Sequence, residues 1–255
     1  MLAFDPWRVP SDPEWAVAIV LFAAWYAMAA RHFGIPWLRI VSFYAGLAMI
    51  GAALLSPIEW VALHSMLSFH LLQNVMLADW APPLLVLGIT PAMADIAERV
   101  PGVRTMTTPA VALTVWLVVW YGVHIPAFYG YALHHYWALG VEHLLFLTAG
   151  IAFWWPVLVP GRTRPGPRLI YLAVAFFVAA PIALVIALSH RSLYPFYDTT
   201  PHLFGLSPLH DQQFGGILMA VEQSILLFVA ASWSFFCLLK EEDDEDTAHE
   251  VAFHP

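Results

Sequence analysis

Seven apolar runs, each about the length that crosses a bilayer as a helix, constrain this chain more than anything else in it. They fall near Glu14 to Ala30, Trp37 to Leu55, Glu59 to Trp80, Ala110 to Phe128, Trp137 to Leu158, Leu169 to Leu188 and Phe214 to Leu239. Within hydrocarbon a helix satisfies its backbone donors and acceptors inside its own segment, which an open strand or loop cannot do. The expected fold is therefore all-α: a polytopic membrane bundle of about seven transmembrane helices over residues 1–240, followed by an acidic tail over 241–255. Only 11% of the residues are charged and the mean hydropathy is +0.72, far from the quarter or so of charged residues in soluble domains. Twelve Trp, nine Tyr and seventeen Phe supply rings that settle at headgroup depth.

Orientation follows from the basic residues between the spans. Arg31 and Arg39 follow the first, Arg99 and Arg104 the third, Arg162, Arg164 and Arg168 the fifth, and Lys240 the seventh, against Arg8 and Arg191 on the other side. The N-terminus is thus expected outside and the tail in the cytoplasm. The segment MLAFDPWRVPSDPEW lacks the basic start of a cleaved signal peptide, so the first run is expected to stay as a helix. The net charge of -8 owes most to the run EEDDED from Glu241 to Asp246, which reads as solvated and implies no nucleic-acid partner.

The third run carries His64, Ser65, Ser68, His70, Gln73, Asn74 and Asp79, groups that are costly in hydrocarbon unless they face protein, a cavity or an ion. His124 lies near the outer end of the fourth run, and His143 in the first turns of the fifth. His134, His135, His190, His202 and His210 lie in or beside outer loops, so nine of the twelve histidines collect on one face. His64, His70, His124 and His143 are candidate metal ligands converging between spans three, four and five, with Met66, Met219 and Glu222 as auxiliary ligands. Asn74, Glu142, Asp211 and Gln212 are candidate polar supports. The plainer alternative is that each histidine bonds only to a neighbouring helix. Cys237 is the sole cysteine, so no thiolate motif is available, and imidazole suits copper, zinc and iron alike.

Glu222, about two turns into the last run, reads as a proton carrier, an ion ligand or a histidine partner. Asp79 reads as a helix-end residue, Asp211 as a helix cap or a histidine-orienting acceptor, and His134 and His135 as solvated. Phe153, Trp154 and Trp155 read as an inner interfacial belt. Pro82 and Pro83 should end the third helix, leaving Leu84 to Thr90 too short to span, and Pro181 should kink the sixth. There is no phosphate loop, nucleophile elbow or HExxH string, and no enzyme is expected.

Several strings together resemble the CtaG family of cytochrome c oxidase assembly factors. They are HLLQNVML and APPLLVLG between His70 and Gly88, HIPAFY at His124 to Tyr129, EHLLFLTAGIAFWWPV at Glu142 to Val157, and DQQFGGILM at Asp211 to Met219. The resemblance implies a multi-pass protein of the bacterial cytoplasmic membrane that assists copper insertion into a haem-copper oxidase. Its implied partners are oxidase subunits and a copper donor protein. His70, His124 and His143 match family histidines, and Asp211 and Gln212 match the polar start of the last span. The family's H-M-x-x-H string has Asn74 at its second histidine here, and an amide is a poor ligand for a soft metal. Competing readings are a haem electron-transfer protein with His70 and His143 as axial ligands, a copper permease through His64, His70 and Glu222, and a scaffold that binds no metal.

Overall fold

The computed structural model describes residues 4–10 and 12–253, with side chains as far as residue 244; His249 and His254 lie outside the described side chains. Twelve α-helices follow in order: α1 Pro13–Phe33, α2 Trp37–Leu54, α3 Pro57–His64, α4 Leu67–Val75, α5 Ala81–Gly88, α6 Pro91–Ala97, α7 Val103–Met106, α8 Pro109–Val123, α9 Pro126–His134, α10 Tyr136–Leu158, α11 Pro165–Leu188 and α12 Pro208–Phe253. A π turn, Met76–Trp80, joins α4 to α5, and a 3-10 turn, Pro195–Thr199, precedes α12. No strand occurs among the described residues. Among the described residues, six helical segments are long and apolar enough to cross a membrane, with α4 through α5 as one, and α8 with α9 makes a seventh if their 74° bend is taken within one span.

The segment Leu67–Gly88 is the centre of the bundle, with 72% of its apolar window buried against 6% for α1. It packs against α2, α10 and α12, while α11 runs along α12 and α8 along α10. Each polar group on this segment therefore meets protein rather than lipid.

The centre departs from the expected third span at both ends. The helix is broken at Ser65 and Met66, where Met66 is extended, so Glu59 and His64 belong to the separate short helix α3. A helix start buried in apolar surroundings leaves amides that need an acceptor. Asp211 supplies it from α12: its carboxylate accepts from Leu67 N at 2.7 Å, from Ser68 N at 3.4 Å and from Ser68 Oγ at 2.5 Å. Asp211 is thus a cap, but of α4 rather than of its own helix.

At the other end the helix does not stop at Pro82 and Pro83 but runs on to Gly88. A proline ring collides with the carbonyl four residues before it and offers no donor. The wider π turn over Met76–Trp80 spans those carbonyls, including Ala78 and Asp79, and relieves both conflicts. Gly150 of α10 lets the turn come close, since a Cβ there would collide with the Ala78 carbonyl oxygen and lie 2.6 Å from Pro82 Cγ.

Two further expectations are corrected. Phe153, Trp154 and Trp155 are core residues rather than an interfacial belt; Phe153 stacks against Trp116 and Tyr171. The last helix begins at Pro208, which puts Glu222 about four turns into it, and its backbone stays helical through the acidic run to Phe253. The end of the bundle away from the histidines is closed by Arg39, which donates to the carbonyls of Leu87 and Ile89 at 2.9 and 2.6 Å. Arg162 pairs there with Asp95 at 2.6 Å and Glu98 at 2.7 Å.

Candidate functional site

His70, in the first turn of α4, has no exposed surface. Its Nδ1 lies 2.9 Å from the Tyr197 hydroxyl, and that hydroxyl donates its one hydrogen to the Ala62 carbonyl at 2.8 Å. Tyr197 must therefore accept from His70 Nδ1–H, which leaves Nε2 with a bare lone pair. Nε2 faces Glu142 Oε1 of α10 at 3.5 Å, and Asn74 donates to the same oxygen at 3.3 Å. A lone pair and a carboxylate oxygen repel, so this gap calls for one cation, a proton or a metal, between them. Tyr129 covers the imidazole at a ring separation of 4.7 Å.

Two other buried imidazoles lie within electrostatic reach of His70 and Glu142. His124 closes α8 at the bend; its Nδ1–H donates to the Trp120 carbonyl at 2.6 Å, so its Nε2 is also bare and has no partner. His143 packs against Trp15 at 6.3 Å and its Nε2 likewise lacks a partner. His64 does not join them. It is exposed, stacks on Trp60 at 3.7 Å and bonds the Trp60 carbonyl. It lines a cavity of about 460 Å³ with Asp12, Glu59 and His134. Among the described residues no three His, Cys, Asp or Glu are grouped closely enough to hold a metal ion. The expected four-histidine convergence is thus reduced to a two-donor nucleus, His70 and Glu142, with His124 and His143 nearby.

The remaining candidates are dispersed. Met66 is buried at the helix break, and Met219 is buried in the core on α12. Gln212 ties α12 to the end of α11, accepting from Leu193 N at 2.7 Å and donating to the Ile186 carbonyl at 3.3 Å. Glu222 accepts from Trp80 Nε1 at 2.7 Å and lies against Asp79, which is buried in mid-span and not at a helix end. His134 and His135 are exposed, and each ring bonds the carbonyl four residues before it.

Sequence reasoning missed four residues. Tyr129, Tyr194 and Tyr197 enclose the imidazoles, and Tyr194 also donates to the His124 carbonyl at 2.9 Å. Tyr197 lies 127 residues from His70, and no local pattern predicts that meeting. Glu59 is buried on α3 and hydrogen-bonded to Gln73. Burial pushes its carboxyl up to about 8, the charges of Asp12 and Glu142 add to this, and the Gln73 bond opposes it.

The fold and this cluster define a polytopic helical membrane protein whose imidazoles and carboxylates are held at one end by broken helices. The chain belongs to the cytochrome c oxidase caa3 assembly factor family, Caa3_CtaG, whose model matches residues 19–241. That places it among cytochrome c oxidase assembly factors, which act in association with the oxidase. No curated protein and no solved structure matches the chain.

Proposed function

We propose that the protein holds copper transiently at the His70–Glu142 pair and passes it to a haem-copper oxidase subunit at the outer face of the bacterial cytoplasmic membrane. The observation that carries this reading is the 3.5 Å gap between a bare Nε2 and Glu142 Oε1, a gap that one cation would fill. The donors fit in kind: imidazole nitrogens with a fixed tautomer, one carboxylate, and the partnerless Nε2 atoms of His124 and His143 close by. Copper here is cargo, so an open, incomplete ligand set suits release better than a closed cage would. No catalytic step is required of the chain. A copper donor protein on the same face would load the site.

The lack of a three-ligand group among the described residues favours a second reading, in which a proton fills the gap and the protein acts as a scaffold. Metal content and the optical spectrum separate the two, measured on detergent-purified protein after loading with Cu(I). Near-stoichiometric copper in the wild type that is lost from His70→Ala and Glu142→Ala supports copper handling. No copper in the loaded wild type sinks it and leaves the scaffold, and a Soret band would point to haem instead.

A further inference from the structure

A second polar site lies in the bundle interior, apart from the imidazoles. Asp79, on the π turn, and Glu222, on α12 and half-buried, come close enough for their carboxyls to act on each other. Trp80 donates its indole N–H to Glu222 Oε2 at 2.7 Å. Asp79 is 98% buried, since its exposure is 2%, and its Oδ2 and Glu222 Oε1 are buried atoms with no hydrogen-bond partner. The segments packed on the π turn bring no compensating charge. Arg39 of α2 is bonded to carbonyls at the bundle end, and α10 carries Glu142 and His143 at the opposite end. On α4, His70 is nine residues from Asp79, roughly 13 Å along the helix. On α12, Asp211 and Lys240 lie about 16 and 27 Å along the axis from Glu222, and Arg168 of α11 lies over Trp233. The charge that acts on Glu222 is that of Asp79.

Two carboxyls in contact in an apolar interior do not both ionise. We propose that Asp79 and Glu222 form a binding site for one proton, shared between them, which ties α12 to the discontinuous central helix. One carboxylic acid O–H donates to the other carboxylate while Trp80 holds Glu222 from the far side. Release of the proton leaves two like charges in contact and breaks the tie. The site is independent of copper, and no residue of the imidazole cluster takes part in it.

The test is infrared spectroscopy of the full-length protein in lipid at neutral pH, read as wild type minus the isosteric double variant Asp79→Asn/Glu222→Gln. The expected difference contains one protonated-carboxyl C=O band, downshifted in D2O, and one ionised-carboxylate band. Two carboxylate bands with no C=O band, or two C=O bands, overturn the shared proton. A C=O band that disappears on adding sodium also overturns it and makes the site a sodium site. If the double variant does not fold, Glu222→Gln alone serves: a wild-type acid band unchanged by it refutes the proposal.

Discussion

Glu59 should make the stability of the whole protein fall as pH rises through neutrality, and Glu59→Gln should remove that fall. Its carboxyl is carried from 4.5 to about 8, chiefly by burial, so between those values the folded chain keeps a proton that the unfolded chain has released. Stability is then highest below about pH 4.5 and declines until about pH 8, since it falls wherever the folded state binds more protons. At about 1.4 kcal/mol for each tenfold change in proton affinity, the ceiling on this loss is about 5 kcal/mol. For a chain of this size that corresponds to roughly 10–20 °C of melting temperature. The local bonding explains why Gln is a fair replacement. Gln73 donates to Glu59 and to the Ala53 carbonyl, yet its own Oε1 has no donor. A protonated Glu59 has the O–H that this oxygen lacks, and Gln supplies an N–H in its place at every pH. Thermal melts in one detergent from pH 5 to 9 should converge at the acidic end and separate in favour of Glu59→Gln at the alkaline end. Parallel curves would show that Glu59 is ionised in the folded protein and refute the reasoning.

Three further outcomes are expected. Asp211→Ala should cost about 3–5 kcal/mol, since it strips the acceptor from Leu67 N, Ser68 N and Ser68 Oγ together, whereas Asp211→Asn keeps one acceptor oxygen and should cost less; melts of both variants check this order. Gly150→Ala should destabilise by about 1–3 kcal/mol by forcing α10 off the π turn, while Gly140→Ala on the same helix meets nothing within 4 Å and should gain about 0.5–1 kcal/mol; equal effects in the same melts would count against the close approach. Tyr197→Phe removes the acceptor of His70 Nδ1–H and the donor to the Ala62 carbonyl, so nitrogen-15 NMR of the labelled imidazole should show His70 no longer confined to one tautomer.

The membrane bundle was legible because apolar run length is set by bilayer thickness and needs no knowledge of contacts. What the runs concealed was where a helix breaks without a change in hydropathy. His64 and His70 sit in one continuous apolar stretch, yet Ser65 and Met66 part them, because an acceptor 144 residues from Leu67 caps the second piece. The prolines misled in the opposite direction. Pro82 and Pro83 read as a stop, but a π turn absorbs them, and the permissive partner is a glycine on another helix. Asp79 was misplaced for the same reason: with the helix ending at Trp80 it stands at an interface, and with the helix continuing to Gly88 it lies inside the bundle. His70, His124 and Glu142 were readable from residue type and depth, but the tyrosines that orient them were not, since aromatic residues are common throughout this chain.

The two breaks also explain why polar chemistry gathers at one end. A helix that ends inside the bundle exposes backbone groups that must be met by side chains, and each group that meets them is then held in place. At the first break Asp211 holds the start of α4, Ser65 donates to the Pro201 carbonyl at 2.6 Å, and Thr200 donates to the Ser65 carbonyl at 2.7 Å. At the second, Tyr194 holds the His124 carbonyl while the imidazole bonds back to Trp120. His70 lies one turn beyond the first break, and His124 lies in the second. Their Nδ1 atoms are committed to the scaffold, so their Nε2 atoms remain free for a cation. An unbroken helix would satisfy its own backbone and leave each imidazole to rotate toward whatever partner was nearest. The breaks therefore set the tautomers, and the tautomers decide that this end of the bundle presents bare nitrogen rather than N–H.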